Sequence, residues 1–234
     1  TNAPIVHTYH TVYEDYTHYF SPNAAWGRKV VQKLTRMLSS RVEAMIAPSR
    51  KIEDVLEKYN VLCPVEVIPS GIDTDKFGKY IGTDSRHRIR QQYGLSDDQI
   101  VLLYVGRLAK EKNILEILRC QKRVSRYGTT LMIVGDGPYR AEIEEQVREL
   151  GISESVIFIG KIGPDKVAEY YQAGDFFVSA STSETQGLTY VEALAAGLPL
   201  LCREDPCLAD VVETGRNGWE FADEEAFENA LVKW

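Results

Sequence analysis

From Ile100 to the end of the chain, short apolar runs alternate with helical patterns, and this alternation constrains the fold more than anything else. Ile100–Val105, Leu131–Val134, Val156–Ile159, Phe176–Ala180, Leu198–Leu201 and Gly218–Phe221 are runs of strand length, apolar or aromatic but for Ser179 and Glu220. Between them lie segments with helical periodicity: 113–127, 139–150, 165–173, 189–196, 208–213 and, after the last run, 224–234. Strands that are apolar on both faces and separated by helices specify an α/β fold with a doubly wound parallel sheet. Such sheets bind ligands outside the carboxyl ends of their strands.

The conspicuous polar clusters all follow strands at that edge. Gly106-Arg107 follows the first strand, with Lys110 and Lys112 a few residues on. Gly135-Asp136-Gly137-Pro138 follows the second, and Gly160-Lys161-Ile162-Gly163 the third. Ser181 to Gly187 follows the fourth and opens a helix expected over Thr189–Ala196. Free N–H groups and the helix dipole converge at such a turn, which suits an anion. Arg107 and Lys112 facing that turn would neutralise a diphosphate. Glu184, in the turn, and Glu192, expected in the first helical turn, flank the glycine and suit hydroxyls at either end of a nucleotide sugar. The plainer alternatives are a capped helix with Thr189 or Ser183 near the cap, a solvated Lys110, and a simple β-turn at 135–138.

Before residue 100 the chain reads differently. Ala3 to His10 is a short strand running into a loop, and Tyr9, Tyr13, Tyr16, Tyr19 and Phe20 then crowd a loop or irregular helix. A helix over 26–42 carries Val30, Val31, Leu34, Met37 and Leu38 on one side and Arg28, Lys29, Lys33, Arg36 and Arg41 beside them, with no acid among them. In a chain with 34 acids against 27 Lys plus Arg and a net charge of −7, this local basic excess suits an anionic membrane surface. The alternative is an ordinary amphipathic helix packed on a sheet with a solvated basic face. Strands follow at 45–48 and 65–68, flanking a helix over 51–59 capped by Ser49-Arg50. The boundary is placed after residue 74, giving domains over 1–74 and 75–234.

Composition excludes other classes. The acidic balance argues against nucleic acid as a partner, and no apolar run approaches membrane-spanning length. Cys63, Cys120, Cys202 and Cys207 show no paired spacing and read as reduced thiols of a cytosolic protein. Asp73-Thr74-Asp75 is a short acidic pair in a linker, and His7 and His10 fall on opposite faces of a strand, so no metal site is expected. His10, at the strand's end, is the better candidate for a role in a cleft. GxGxxG is absent, which disfavours an NAD-dependent oxidoreductase.

Val105-Gly106-Arg107-Leu108-Ala109-Lys110-Glu111-Lys112-Asn113, Val134 to Pro138, Ile68 to Asp73 and Ser183 to Ala193, with its Glu-x7-Glu spacing, together resemble a retaining GT-B glycosyltransferase of the family 4 type. Val6 to Tyr16, with the basic helix behind it, is similar to bacterial diacylglycerol glucosyltransferases. The resemblance implies that Arg107 and Lys112, behind Gly106, hold the donor diphosphate, with backbone amides at Gly187, Leu188 and Thr189. It implies Glu192 on the ribose hydroxyls, Glu184 on the sugar hydroxyls, backbone near Lys161 and Ile162 on the base, and His10 helping at the reacting centre. Gln186 stands where the pattern often has an aromatic residue. The implied reaction moves a hexose, taken as glucose, from a UDP-sugar to a lipid such as diacylglycerol, keeping the anomeric configuration, with no cofactor beyond the donor and no fixed metal. The implied location is cytoplasmic, peripheral on the inner face of the cell membrane. A soluble or cell-wall acceptor, and a nucleotide-binding lobe without turnover, are the alternatives. Such enzymes pair two Rossmann-like domains across a cleft; the early glycine loop and the crossing C-terminal helix are not visible here, so a portion of a larger enzyme is expected.

Overall fold

The computed structural model describes residues 3–14 and 23–233. Tyr16, Tyr19 and Phe20 lie outside the described residues. By contacts the chain divides into two compact units. The first is Thr1–Gly71 with Ser183–Gly187 and Pro206–Ala209; the second is Ile72–Thr182, Leu188–Asp205 and Asp210–Trp234.

In the first unit β1 (Val6–Thr8), β2 (Ala44–Ala47) and β3 (Val65–Val67) form a parallel three-stranded sheet in that order. The helices are α1 (Ala24–Ser39) and α2 (Arg50–Lys58). Tyr9, Val31, Met45, Ile52, Leu56 and Tyr59 close its core. The apolar side expected of α1 is not the face that it buries. Its buried stripe is Gly27, Val31, Thr35 and Ser39, at four-residue spacing, while Leu34, Met37 and Leu38 are exposed. Small and hydroxyl side chains let the helix lie close, and Ser39 Oγ accepts the Leu62 N–H at 2.8 Å. Ser49 stands at the start of α2 but does not cap it; its hydroxyl donates to the Thr185 carbonyl, within the same unit.

The second unit opens with α3 (Thr74–Gly78) and α4 (Ser85–Gln92). Asp73 accepts the Lys76 N–H at 3.0 Å, so the acidic pair starts a helix. The strands are β4 (Val101–Val105), β5 (Thr130–Val134), β6 (Val156–Gly160), β7 (Phe176–Ser179), β8 (Leu200–Arg203) and β9 (Gly218–Phe221). All are parallel, in the order β6-β5-β4-β7-β8-β9. The chain winds outward one way from β4 and the other way from β7, so the switch point lies between those two. The helices are α5 (Ile114–Val124), α6 (Arg140–Glu149), α7 (Val167–Tyr171), α8 (Leu188–Ala195) and α9 (Glu224–Lys233). The α5 face of Ile114, Ile117, Leu118, Gln121 and Val124 is buried, as its three- and four-residue spacing requires. The helix expected over 208–213 does not form. A single 3-10 turn at Pro206–Leu208 stands there, and Asn217 pins the loop after it by accepting the Glu213 N–H and donating to Val211 O.

One buried polar cluster was not legible in the sequence. Arg90 is fully buried, and its guanidinium donates to the carbonyls of Ala173, Ser96, Asp97 and Gln99 and to Asp175 Oδ2, the last at 2.6 Å. Asp175 also accepts the Val101 N–H at 2.7 Å and pairs with the half-exposed Arg86 at 2.6 Å. It therefore ties α4 to the starts of β4 and β7. A buried cation stripped of its counter-charge costs about 3–5 kcal/mol, whereas a partly exposed pair is worth about 1 kcal/mol or less. Asp175→Ala is expected to lower the urea midpoint far more than Arg86→Ala, and equal losses would contradict this assignment.

Candidate functional site

Beyond the ends of β4 and β5 the chain continues to pair. Gly106 N–H donates to Val134 O at 3.0 Å, Leu108 N–H to Asp136 O at 3.0 Å, and Tyr139 N–H to Leu108 O at 3.0 Å. Gly135 N–H reaches Gly160 O at 2.9 Å on the far side. The loops after β4, β5 and β6 are thus laced together at one edge. This closeness explains the glycines: Gly135 has φ +141°, and a Cβ there would stand 1.8 Å from Gly106 O. One on Gly137 would stand 2.2 Å from Leu108 O. Gly135 to Pro138 is therefore an extension of the sheet edge rather than only a β-turn.

The laced loops line a cavity of about 360 Å³. Its walls are Val105 at the end of β4 with Gly106 and Arg107 after it, Val134 at the end of β5 with Gly135 to Gly137 after it, Lys161 and Ile162 after β6, and Val167 at the start of α7. The floor is backbone and aliphatic surface, while Arg107 and Lys161 are exposed. Among the described residues neither has an ion-pair partner. Tyr104 OH donates to Arg107 O at 3.1 Å, which fixes the backbone under the guanidinium. Asp136 Oδ1 accepts the Gly137 N–H at 2.8 Å and lies 3.8 Å from Arg140 Nη1 of the following helix. Four of the expected residues, Gly106, Arg107, Lys161 and Ile162, thus share one pocket. Lys112 does not line it; it closes a half-buried 3-10 turn, Lys110–Lys112, that leads through Asn113, in the left-handed region at φ +50°, into α5. Asn113 Nδ2 donates to Ala180 O at 3.3 Å, which fastens this turn to the exit of β7. Lys110 is exposed.

The helix α8 begins at Leu188, one residue earlier than expected, after Gly187 at φ +71°. Leu188 and Thr189 occupy its first turn, and Glu192 therefore falls in the second turn rather than the first. Glu192 is half-buried and accepts a hydrogen bond from Tyr171 OH at 2.8 Å. Burial raises its pKa above the ordinary carboxylate value, and Tyr171 and the Lys76 charge pull it back in part. Tyr171 was not singled out from the sequence, because an aromatic residue late in an amphipathic helix reads as core.

Glu184, Gln186 and Gly187 belong to the first unit by contact, as does His10. Glu184 is half-buried. Gln186 pairs both ends of its amide with Ser70, accepting from its N–H and donating to its carbonyl, each at 2.8 Å. His10 is exposed beyond the end of β1, with Nδ1 3.1 Å from Thr11 Oγ1, and its carbonyl accepts from Thr185 Oγ1 at 3.3 Å. Arg28, Lys29, Lys33 and Arg36 are all exposed on α1. Among the described residues no group of three His, Cys, Asp or Glu side chains gathers to hold a metal ion.

Residues 85–234 match the model of the family described as glycosyl transferases group 1, and residues 1–76 match the glycosyltransferase family 4 model. The chain belongs to the glycosyl transferases group 1 family. It is 38% identical to an alpha-monoglucosyldiacylglycerol synthase of Streptococcus pneumoniae, over 98% of this chain and 53% of that protein. It is 35% identical to the synthase of the same name from Acholeplasma laidlawii, over 98% of this chain and 60% of that one. It therefore spans a little over half the length of these relatives. Among solved structures, Anabaena HepE in complex with UDP and glucose matches with a TM-score of 0.81 at 23% identity, covering 98% of this chain and 60% of that one. Sucrose-phosphate synthase from Thermosynechococcus elongatus matches with a TM-score of 0.82 at 26% identity, covering 100% of this chain and 59% of that one. The fold is the α/β, Rossmann-like fold of GT-B glycosyltransferases, as the sequence resemblance implied.

The lacing of the loops gives a stability test. Gly135→Ala places a methyl group on a carbonyl oxygen and is expected to cost more than about 2 kcal/mol. Gly163→Ala meets nothing within 4 Å, and a surface change of that kind stays within about 0.5 kcal/mol. Thermal unfolding of the two variants compares them; equal midpoints would contradict the close approach.

Proposed function

We propose that this chain is the nucleotide-sugar-binding portion of a retaining hexosyltransferase. It takes a UDP-sugar, with glucose as the hexose, and transfers to a membrane lipid such as diacylglycerol. The observation that carries the donor half is the pocket at the carboxyl ends of β4, β5 and β6. It is a backbone-lined cavity whose mouth holds two exposed cations, Arg107 and Lys161, without ion-pair partners among the described residues. A flat uracil fits an aliphatic floor beside the Lys161-Ile162 backbone, and Arg107 and Lys112 supply charge for the diphosphate. The first N–H groups of α8, at Leu188 and Thr189, add the helix-terminus contribution on the other side of the switch point.

In the reaction the charge to be stabilised builds on the departing diphosphate, and cations and oriented N–H groups set in place beforehand do that without reorganisation. Glu192 takes the ribose hydroxyls and Glu184 the hydroxyls of the hexose. His10 assists at the reacting centre, and the leaving phosphate draws the proton from the acceptor on the same face. No metal or further cofactor enters this scheme.

The lipid half is supported by the surface of α1 and by the names of the two synthases. Trp26, Lys33 and Met37 fall within about 20° of one line along the helix. Trp26 is 59% and Met37 48% exposed, with Lys29 and Arg36 on one flank and Leu34 on the other. Apolar side chains set among cations on one exposed face suit the boundary of an anionic bilayer, where Trp sits at headgroup level. No helix among the described residues is long and apolar enough to cross a membrane. Contact with the inner face of the cell membrane therefore rests on this surface.

Calorimetric titration with UDP, UDP-glucose and NAD tests the donor site. Saturable UDP binding is expected, weakened about tenfold or more in Arg107→Ala, which removes a charge-assisted contact of about 1.5–3 kcal/mol. NAD binding without UDP binding would overturn it. For the lipid half, Lys29, Lys33 and Arg36 replaced together by Ala are expected to reduce co-sedimentation with phosphatidylglycerol vesicles, by about 1 kcal/mol per charge. Unchanged co-sedimentation would remove α1 from the membrane role.

A further inference from the structure

We propose that Tyr171 is the positioning residue of the donor site, its phenolic proton holding Glu192 in the orientation that receives the ribose hydroxyls of the nucleotide. This rests on the nucleotide-sugar reading above and adds to it the group that makes Glu192 competent.

The geometry begins with the ring. Tyr171 is fully buried at the end of α7, stacked on Phe177 of β7 at 6.1 Å and 25°, with Phe77 of α3 edge-on at 5.6 Å and 85°. Tyr190 of α8 meets Phe177 in a T-shaped contact at 5.7 Å and 74°, and its hydroxyl lies 3.1 Å from Ser179 Oγ. Four rings from α3, α7, β7 and α8 thus pack in sequence, and the Tyr171 hydroxyl has no freedom to wander. It projects to Glu192 Oε2 at 2.8 Å. Burial pushes the phenol's pKa up, so it stays protonated and can only donate to the carboxylate.

A half-buried carboxylate needs such a donor. Burial favours its neutral form, and a neutral carboxyl is a poor acceptor for two hydroxyl protons. The titratable groups acting on Glu192 among the described residues are Tyr171 on α7 and Lys76 on α3, and both favour the charged form. An ionised carboxylate has about four acceptor positions. Tyr171 occupies one, on Oε2, and leaves enough for a vicinal diol. The connection also has a topological sense. α7 follows the Lys161-Ile162 loop proposed for the base, and α8 carries the acid proposed for the ribose, so one hydrogen bond joins the supports of adjacent parts of one ligand.

Tyr171→Phe keeps the ring stack and deletes the proton. Calorimetry on the wild-type chain, Tyr171→Phe and Glu192→Gln, each with UDP and with 2′,3′-dideoxyuridine diphosphate, tests the proposal. Loss of a hydrogen bond to a charged group is worth about tenfold or more in affinity. Tyr171→Phe is therefore expected to weaken UDP by about that factor and leave the dideoxy analogue nearly unchanged. Because the bond favours the ionised carboxylate, its loss raises the Glu192 pKa further. UDP affinity, which falls as Glu192 takes up a proton, is then lost at higher pH in Tyr171→Phe than in wild type. Equal weakening of both ligands would show a general defect and overturn the positioning role. Wild-type UDP binding in Tyr171→Phe, with Glu192→Gln impaired, would overturn it while leaving the nucleotide site standing. Wild-type binding in both variants, or no UDP binding by the wild-type chain, would remove the site assignment and this inference together.

Discussion

The close approach of Gly135 to Gly106 O is the constraint on which the candidate site depends. Two parallel strands end at Val105 and Val134, yet their hydrogen bonding runs on through Gly106, Leu108 and Asp136. Only residues without a side chain can stand that near. The consequence is a rigid, backbone-lined edge where most strand ends in such a sheet would splay into mobile loops. Rigidity there matters for a polar ligand, because oriented N–H groups and fixed cations lose little entropy when the ligand arrives.

The same sheet is anchored at its other end by a different kind of contact. Asp175 gathers Arg90, Arg86 and the Val101 N–H where β4 and β7 begin. β4 and β7 are the neighbours at the switch point, and both lie within the second unit. The Arg90–Asp175 pair at the starts of these two strands and the laced glycine loops beyond β4 bracket the part of the sheet that carries the candidate pocket. The buried Arg90 gains its stability through carbonyls as much as through the carboxylate, which satisfies the donors of its guanidinium.

The fold was legible because the apolar runs are long and buried on both faces, so periodicity and alternation agreed. The pocket residues Gly106, Arg107, Lys161 and Ile162 were legible because parallel topology sends every post-strand loop to one edge. What escaped depends on contacts distant in sequence. Arg90 reads as one more cation in a basic helix until Asp175, 85 residues on, is brought beside it. Tyr171 reads as core until Glu192 is seen at its hydroxyl. The apolar residues of α1 read as a packing face, but Gly27, Thr35 and Ser39 take that place because the helix lies close on its own sheet, which leaves Leu34 and Met37 exposed. At 208–213 local helical spacing lost to the pinning of the loop by Asn217.

The most direct measurement is amide hydrogen exchange on this chain with and without UDP. Slowed exchange is expected at 106–108, 135–137 and 160–163, together with the first turn of α8 at 188–191, and unaltered exchange in α9. Protection confined to other segments, or none at saturating UDP, would contradict a nucleotide site at the carboxyl ends of β4, β5 and β6.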